Sequence, residues 1–169
     1  MGKVKTKQLT GKPVRQSVVE VTHIVQPPDI NSVGTIFGGK VMAWIDLAAA
    51  ACSNRHTRRV CVTASMDALH FLAPMHLGDL ANLKAQVNYT HNTSLEIGVR
   101  VEAENPLTGE RKHAASAYLT FVALDETGKP TAVPPIICKT PLEKQRFEEA
   151  KIRRKLRLKW KQKRKQEGR

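Results

Sequence analysis

Apolar and polar residues alternate through residues 17–26 (SVVEVTHIVQ), with β-branched bulk at Val19, Val21, Ile24 and Val25, the pattern of a strand. Pro27 and Pro28 stop it, since neither can donate to a ladder, and a loop of turn residues leads to Phe37-Gly38-Gly39. The period then changes. Across 39–54 (GKVMAWIDLAAAACSN) helix formers dominate, and Val41, Trp44, Ile45, Ala48, Ala51 and Cys52 make one broad helical stripe. Leu47, Ala49 and Ala50 carry apolar or small surface around most of the circumference, so this helix is expected to be enclosed by other structure.

Period two returns after the helix. Residues 60–71, 80–90, 95–103 and 113–124 read as four strands, parted by Leu72-Ala73-Pro74, Gly78-Asp79, His91-Asn92-Thr93 and a loop between Asn105-Pro106 and Thr108-Gly109. Links this short imply a mainly antiparallel sheet. One sheet covered by one helix is an α+β arrangement. Residues 141–169 look helical by composition, but Leu142, Ile152, Leu156 and Trp160 share a face while Phe147 and Leu158 lie nearly opposite, so a partly ordered basic helix is expected. The expected organisation is a flexible basic arm at 1–16, one folded domain at 17–135, and a linker with a basic helical tail at 136–169.

Composition changes this picture little: 169 residues with 41% apolar and 25% charged residues suit one globular domain. No apolar run approaches the ~20 residues that span a bilayer, and no apolar region follows the basic N-terminus as a secretory signal would require. Cys52, Cys61 and Cys138 are too few and too scattered for a disulfide framework or a zinc site, and a cytoplasmic setting is expected. Charge is more informative. The net +13 sits at the two ends: residues 141–169 hold 13 basic and 4 acidic residues, and residues 1–16 hold 5 basic and no acidic ones. The body between is nearly neutral, which argues against a nucleic-acid-binding domain.

Asp46 is the first candidate for chemistry. It lies in the most apolar helix, and its neighbours at i±3 and i±4 are Met42, Ala43, Ala49 and Ala50, so no basic side chain pairs with it locally. An unpaired carboxylate there either serves a function or faces solvent or a subunit boundary. Gly38 and Gly39 are the second feature. The first amides of a helix lack carbonyl partners, and two glycines let an oxygen approach them with no Cβ in the way. Asp46 is about 10 Å along the helix from Gly39, so the two cannot act on one atom from one straight helix. Either the helix begins later, or a long substrate lies between them, or a second subunit supplies one of the two.

The run Asn31-Ser32-Val33-Gly34-Thr35-Ile36-Phe37-Gly38-Gly39-Lys40-Val41-Met42-Ala43-Trp44-Ile45-Asp46 resembles the signature of hotdog-fold acyl-CoA thioesterases, in particular the YciA-like acyl-CoA hydrolases. The resemblance continues through Phe71-Leu72-Ala73-Pro74, Gly78-Asp79, Thr93-Ser94, Gly109-Glu110-Arg111, Phe121-Val122-Ala123-Leu124-Asp125 and Gly128-Lys129-Pro130, and covers residues 17–135. It implies the hotdog fold, an antiparallel sheet wrapped around one long central helix. It also implies a homodimer with active sites shared across the interface, assembling further into a hexamer as a trimer of dimers. By the resemblance Asp46 is general base or nucleophile toward a thioester carbonyl, Asn31 orients water or substrate, and the Gly38 N–H polarises the carbonyl, beside Gly39. Thr63 would donate to Asp46 or to the water, Thr93 and Ser94 would lie near the CoA arm, and Arg58 and Arg59 are candidate phosphate contacts by charge. Related thioesterases often carry histidine before the glycine; Phe37 stands there in this chain, as in the YciA-like branch.

A thioester is already activated, so a carboxylate and backbone donors suffice, and neither a metal nor a cofactor is expected beyond the CoA of substrate and product. The six histidines lack ligand spacing, and no Gly-x-Ser-x-Gly surrounds a serine. A hydratase on the same fold would need a histidine paired with the carboxylate at the glycine loop. The alternative from another class is a polyanion- or nucleic-acid-binding protein acting through the basic tail, where Trp160 is the one good stacking candidate.

Overall fold

In a computed structural model the structure describes residues 9–167. After a two-residue strand β1 (Lys12–Pro13) come β2 (Val19–Ile24), helix α1 (Gly38–Thr57), β3 (Cys61–Phe71), β4 (Leu80–Thr90), β5 (Ser94–Glu104), β6 (Arg111–Ala123), a short β7 (Ile136–Ile137) and helix α2 (Pro141–Gln166). The main sheet is antiparallel throughout, in the order β2-β4-β5-β6-β3.

Alternation of side chains across each strand explains the layering. Leu83, Val87, Ile97, Val101, Leu119 and Phe121 point to one face and are fully buried. Against that face lies α1, which buries Val41, Ile45, Ala48, Ala49 and Cys52 and touches all five strands. The α+β reading and the sheet-around-helix arrangement therefore hold. Enclosure of α1 is only partial, however. Met42, Ala43, Leu47 and Ala51 stay exposed, because β3 ends the sheet before it can cover that side.

The opposite face of the sheet carries α2, which begins at a capping box: Thr140 accepts from the Glu143 N–H, Glu143 accepts from the Thr140 N–H, and Pro141 takes the first helical position. Its basic side chains are what hold it down. Arg153 forks onto Glu96 (Nη2 to Oε1 2.7 Å), a side chain only 2% exposed, and lies 3.7 Å over the Tyr118 ring. Arg146 donates to Gln86, Arg157 pairs with Asp67, Phe147 packs on Tyr89, and Ala150 is fully buried. The helix is thus docked on the sheet as far as Arg157.

The basic N-terminal stretch makes contacts of its own. Residues 1–8 lie outside the described residues, but from Lys12 the chain is folded: Lys12 and Pro13 pair with Ile136 and Ile137. Val14 is buried, and the Lys12 Nζ donates to the His56 carbonyl at 2.6 Å. A single apolar residue in a basic run has no period to betray it. The partner strand lies far along the chain, where proline-rich sequence reads as loop.

Candidate active site

Asp46 sits halfway along α1, on the flank that β3 leaves partly open. Its Oδ1 accepts a hydrogen bond of 2.7 Å from the Thr63 hydroxyl of β3. The two meet because Thr63 pairs with Phe121 and so points to the sheet face that carries α1. Among the described residues Asp46 has neither a cationic partner nor a second donor, and its carboxylate keeps one oxygen uncommitted. On the same flank lie Met42 and Leu47 of α1 and Met66 of β3, all exposed. Strand β3 offers 11 residues and, among the described residues, pairs on one side only. An unpaired edge beside exposed apolar side chains is a surface shaped for another chain.

The glycines form a second centre. Phe37 offers no side-chain cap to α1, and among the described residues the Gly38 and Gly39 N–H groups meet no acceptor. Gly38 lines a hollow of about 420 Å3 together with Thr35, Ile36, Phe71, Leu72 and Pro74, while the Phe37 ring lies against Gly39. A Cβ on Gly38 would stand 3.3 Å from the Phe71 ring, so a larger residue there would push on the wall of this hollow. Uncapped amides at the positive end of a 20-residue helix, facing an apolar hollow, are suited to a polarised carbonyl oxygen.

Asn31 prepares that turn from within. Its Oδ1 accepts from the Val33 and Thr35 N–H groups, and its Nδ2 donates to the Thr35 hydroxyl at 3.0 Å. Two residues that the sequence reading passed over complete the clamp. Asp29 is buried, accepts from the Gln26 N–H, pairs with Lys40 at 2.9 Å, and its backbone carbonyl accepts from the Phe37 N–H at 2.7 Å. The Lys40 ammonium, then the Gln26 N–H, hold the Asp29 carboxyl below the usual carboxylate range. His23 stacks on Trp44 with centroids 4.4 Å apart, and partial burial followed by the Lys40 charge pushes its pKa down. The signal for Asp29 was its place in Pro27-Pro28-Asp29, a tight turn that needs an acceptor at its end.

The remaining candidates gather at the far end of the sheet. Arg58 caps α1 in the left-handed region (φ 56°), and Arg59 follows it beside Asn54, Leu124 and Asp125. The Thr93 carbonyl accepts from the Ala123 N–H, and Ser94 pairs with Val122. These four are therefore near one another but not near Asp46. Asp46 in turn lies more than two helical turns from Gly38, roughly 12 Å at 1.5 Å per residue. One chain brings Asp46 to Thr63, and Asn31 to the Gly38 turn, but not these two centres to each other.

Comparison with known proteins bears on the family and the fold. Residues 33–110 match the family model described as the thioesterase superfamily. A protein of Bacillus subtilis (strain 168) described as the uncharacterized acyl-CoA thioester hydrolase YkhA is 44% identical over 129 residues, which cover 76% of this chain and 75% of that protein. A solved apo-hexameric acyl-CoA thioesterase superimposes with a TM-score of 0.87 at 43% identity, over 89% of this chain and 97% of its own. The acyl-CoA hydrolase of Staphylococcus aureus, solved with butyryl coenzyme A and coenzyme A, gives a TM-score of 0.86 at 35% identity, over 92% of this chain and 94% of its own. That hydrolase has also been solved with alanine replacing an asparagine, an aspartate and a threonine, singly, whose mutual spacing equals that of Asn31, Asp46 and Thr63. By its matched sequence and its fold, the chain belongs to the thioesterase superfamily.

Proposed function

We propose that this protein hydrolyses acyl-CoA thioesters to CoA and a carboxylic acid, with Asp46 of one subunit working opposite the Gly38 turn of its partner. The observation that carries the reading is the Asp46–Thr63 hydrogen bond of 2.7 Å beside the exposed apolar flank and the unpaired edge of β3. Pairing two β3 edges antiparallel would extend the sheet across a two-fold axis and cover Met66 and Leu47. It would also bring the uncapped amides of one α1 toward the carboxylate of the other. The subunit boundary, among the three ways of relating Gly38 to Asp46, is the one that an exposed apolar seam supports. Hexameric relatives favour assembly of such dimers into a trimer of dimers.

In this arrangement the Gly38 and Gly39 N–H groups donate to the thioester oxygen as it gains negative charge. Asp46 then acts in one of two ways. As general base it takes a proton from water while the water oxygen bonds to the carbonyl carbon; the C–S bond breaks and the CoA sulfur leaves with the electron pair, to be protonated. As nucleophile its oxygen bonds to that carbon and expels the sulfur, and water afterwards cleaves the anhydride. Thr63 fixes the carboxylate in both. Asn31 acts by shaping the turn that presents the amides. Arg58, Arg59, Thr93 and Ser94 form the outer end of the site, where the polar CoA arm would leave it. The three cysteines are free thiols, which suits a cytoplasmic, reducing setting.

The test is Asp46→Asn, followed by free-thiol release from a series of acyl-CoA esters and by mass measurement of the assembly. Loss of at least a hundredfold in kcat with unchanged mass is expected; near wild-type turnover would reject Asp46. The nucleic-acid alternative gains no support from the relatives named above, which are described as acyl-CoA hydrolases.

A further inference from the structure

The exposed part of α2 has a composition its docking does not explain. Ile152, Leu156 and Trp160 fall at i, i+4 and i+8, so they form one row, and they are 60%, 53% and 66% exposed. Residues 151–166 hold ten basic and no acidic residues. Arg153 and Arg157 are neutralised against Glu96 and Asp67, and Lys151 pairs with Glu148. Lys155 and Lys159, which flank the apolar row, meet no carboxylate among the described residues. Among the described residues Lys163 meets the Glu167 carboxylate at 3.9 Å and stands 5.9 Å over the Trp160 ring.

Solubility would account for the lysines but not for three large apolar side chains standing among them. We propose that this face docks the protein onto anionic lipid surfaces. Ile152, Leu156 and Trp160 enter the boundary between headgroups and acyl chains, and Lys155, Lys159 and Lys163 extend along it to the headgroup phosphates. Charge complementarity selects this occupant. A second copy of the same helix would set lysine against lysine, and a nucleic-acid duplex gives Ile152 and Leu156 nothing apolar to cover. The row lies on the opposite side of the sheet from α1, but α2 crosses from Gln86 of β4 to Asp67 of the edge strand β3, so its last turns project past the edge that the proposed dimer pairs, and the assembly mass of the variants separates the two roles.

The test uses the full chain sedimented with vesicles of phosphatidylcholine alone, or of phosphatidylcholine and phosphatidylglycerol in equal parts, at low and high salt. Binding only to the anionic vesicles, released by salt, is expected. Trp160 emission should shift to the blue on binding, and Trp160→Phe should remove the shift, which separates it from the buried Trp44. Replacing Ile152, Leu156 and Trp160 together by serine leaves the charge intact and should weaken partitioning by about tenfold or more. Replacing Lys155, Lys159 and Lys163 by glutamine should weaken it on the order of a hundredfold. The positions are exposed, so both variants should keep the thermal midpoint of the parent protein. The proposal is overturned by failure to bind the anionic vesicles, by equal binding to phosphatidylcholine alone, or by unchanged binding of the serine variant. It is equally overturned if the serine variant loses assembly mass, which would make the row a subunit contact, or if duplex DNA binds as tightly as the anionic vesicles.

Discussion

Replacing Thr63 by valine perturbs the candidate site with little effect on the fold. Valine keeps the β-branched shape that suits a strand, and position 63 is exposed, so stability should change by less than about 1 kcal/mol. What disappears is the 2.7 Å donor to Asp46, a hydrogen bond to a charged acceptor worth roughly 1.5–3 kcal/mol. Asp46 has no second donor among the described residues, so its carboxylate would then be free to turn about its side-chain bonds. If that orientation is needed in the transition state, kcat should fall about 10- to 100-fold while KM changes by less than about threefold. Thr63→Ser keeps the hydroxyl and should recover most of the loss. Initial rates of thiol release across a substrate range would measure both constants. The buried Cys52, whose thiol burial pushes up to about 12, adds little background. A kcat within twofold of the parent for the valine variant would refute the positioning role, and a change in KM alone would make Thr63 a substrate contact instead.

Three further outcomes follow from the structure. Glu96→Ala strands the Arg153 guanidinium on the sheet and should cost about 2–4 kcal/mol, read as a lower thermal midpoint and earlier proteolysis within α2; adding Arg153→Met should restore much of it. Leu47→Glu or Met66→Lys places charge on the exposed seam, and should lower the assembly mass and abolish hydrolysis together, with the α1 core packing retained. His56, enclosed between the Ser17 hydroxyl and the Pro134 carbonyl, has its pKa lowered by burial and then by the Lys12 charge, against the opposing Pro134 hydrogen bond. The unfolded chain therefore takes up a proton below about pH 6.5 where the folded one resists it, so stability should fall as pH drops through that window. Urea midpoints at pH 7.5 and 5.5 measure the fall, and His56→Gln should flatten it, leaving the smaller share of His23 and His91, which shift the same way.

Local periodicity alone located α1 and the strands β4–β6 to within a few residues, because each buries a regular stripe of Val, Leu, Ile and Ala that repeats at the spacing of its own geometry, whereas β3, mostly exposed, was bounded by the turn residues after it. The family resemblance singled out Asp46, Gly38 and Thr63, and Asp46 also stands out as a lone carboxylate in an apolar helix. Features built from one residue meeting another far along the chain were not legible. Asp29 and Lys40 read as loop and surface residues until the turn closes, and β1 has no pattern without β7. The arginines of α2 read as solvated charge, and only the folded sheet supplies the buried Glu96 that draws Arg153 in. The period of a strand says which side chains share a face. It does not say which strand ends the sheet, and that alone decided that one flank of α1, with Asp46 on it, stands open.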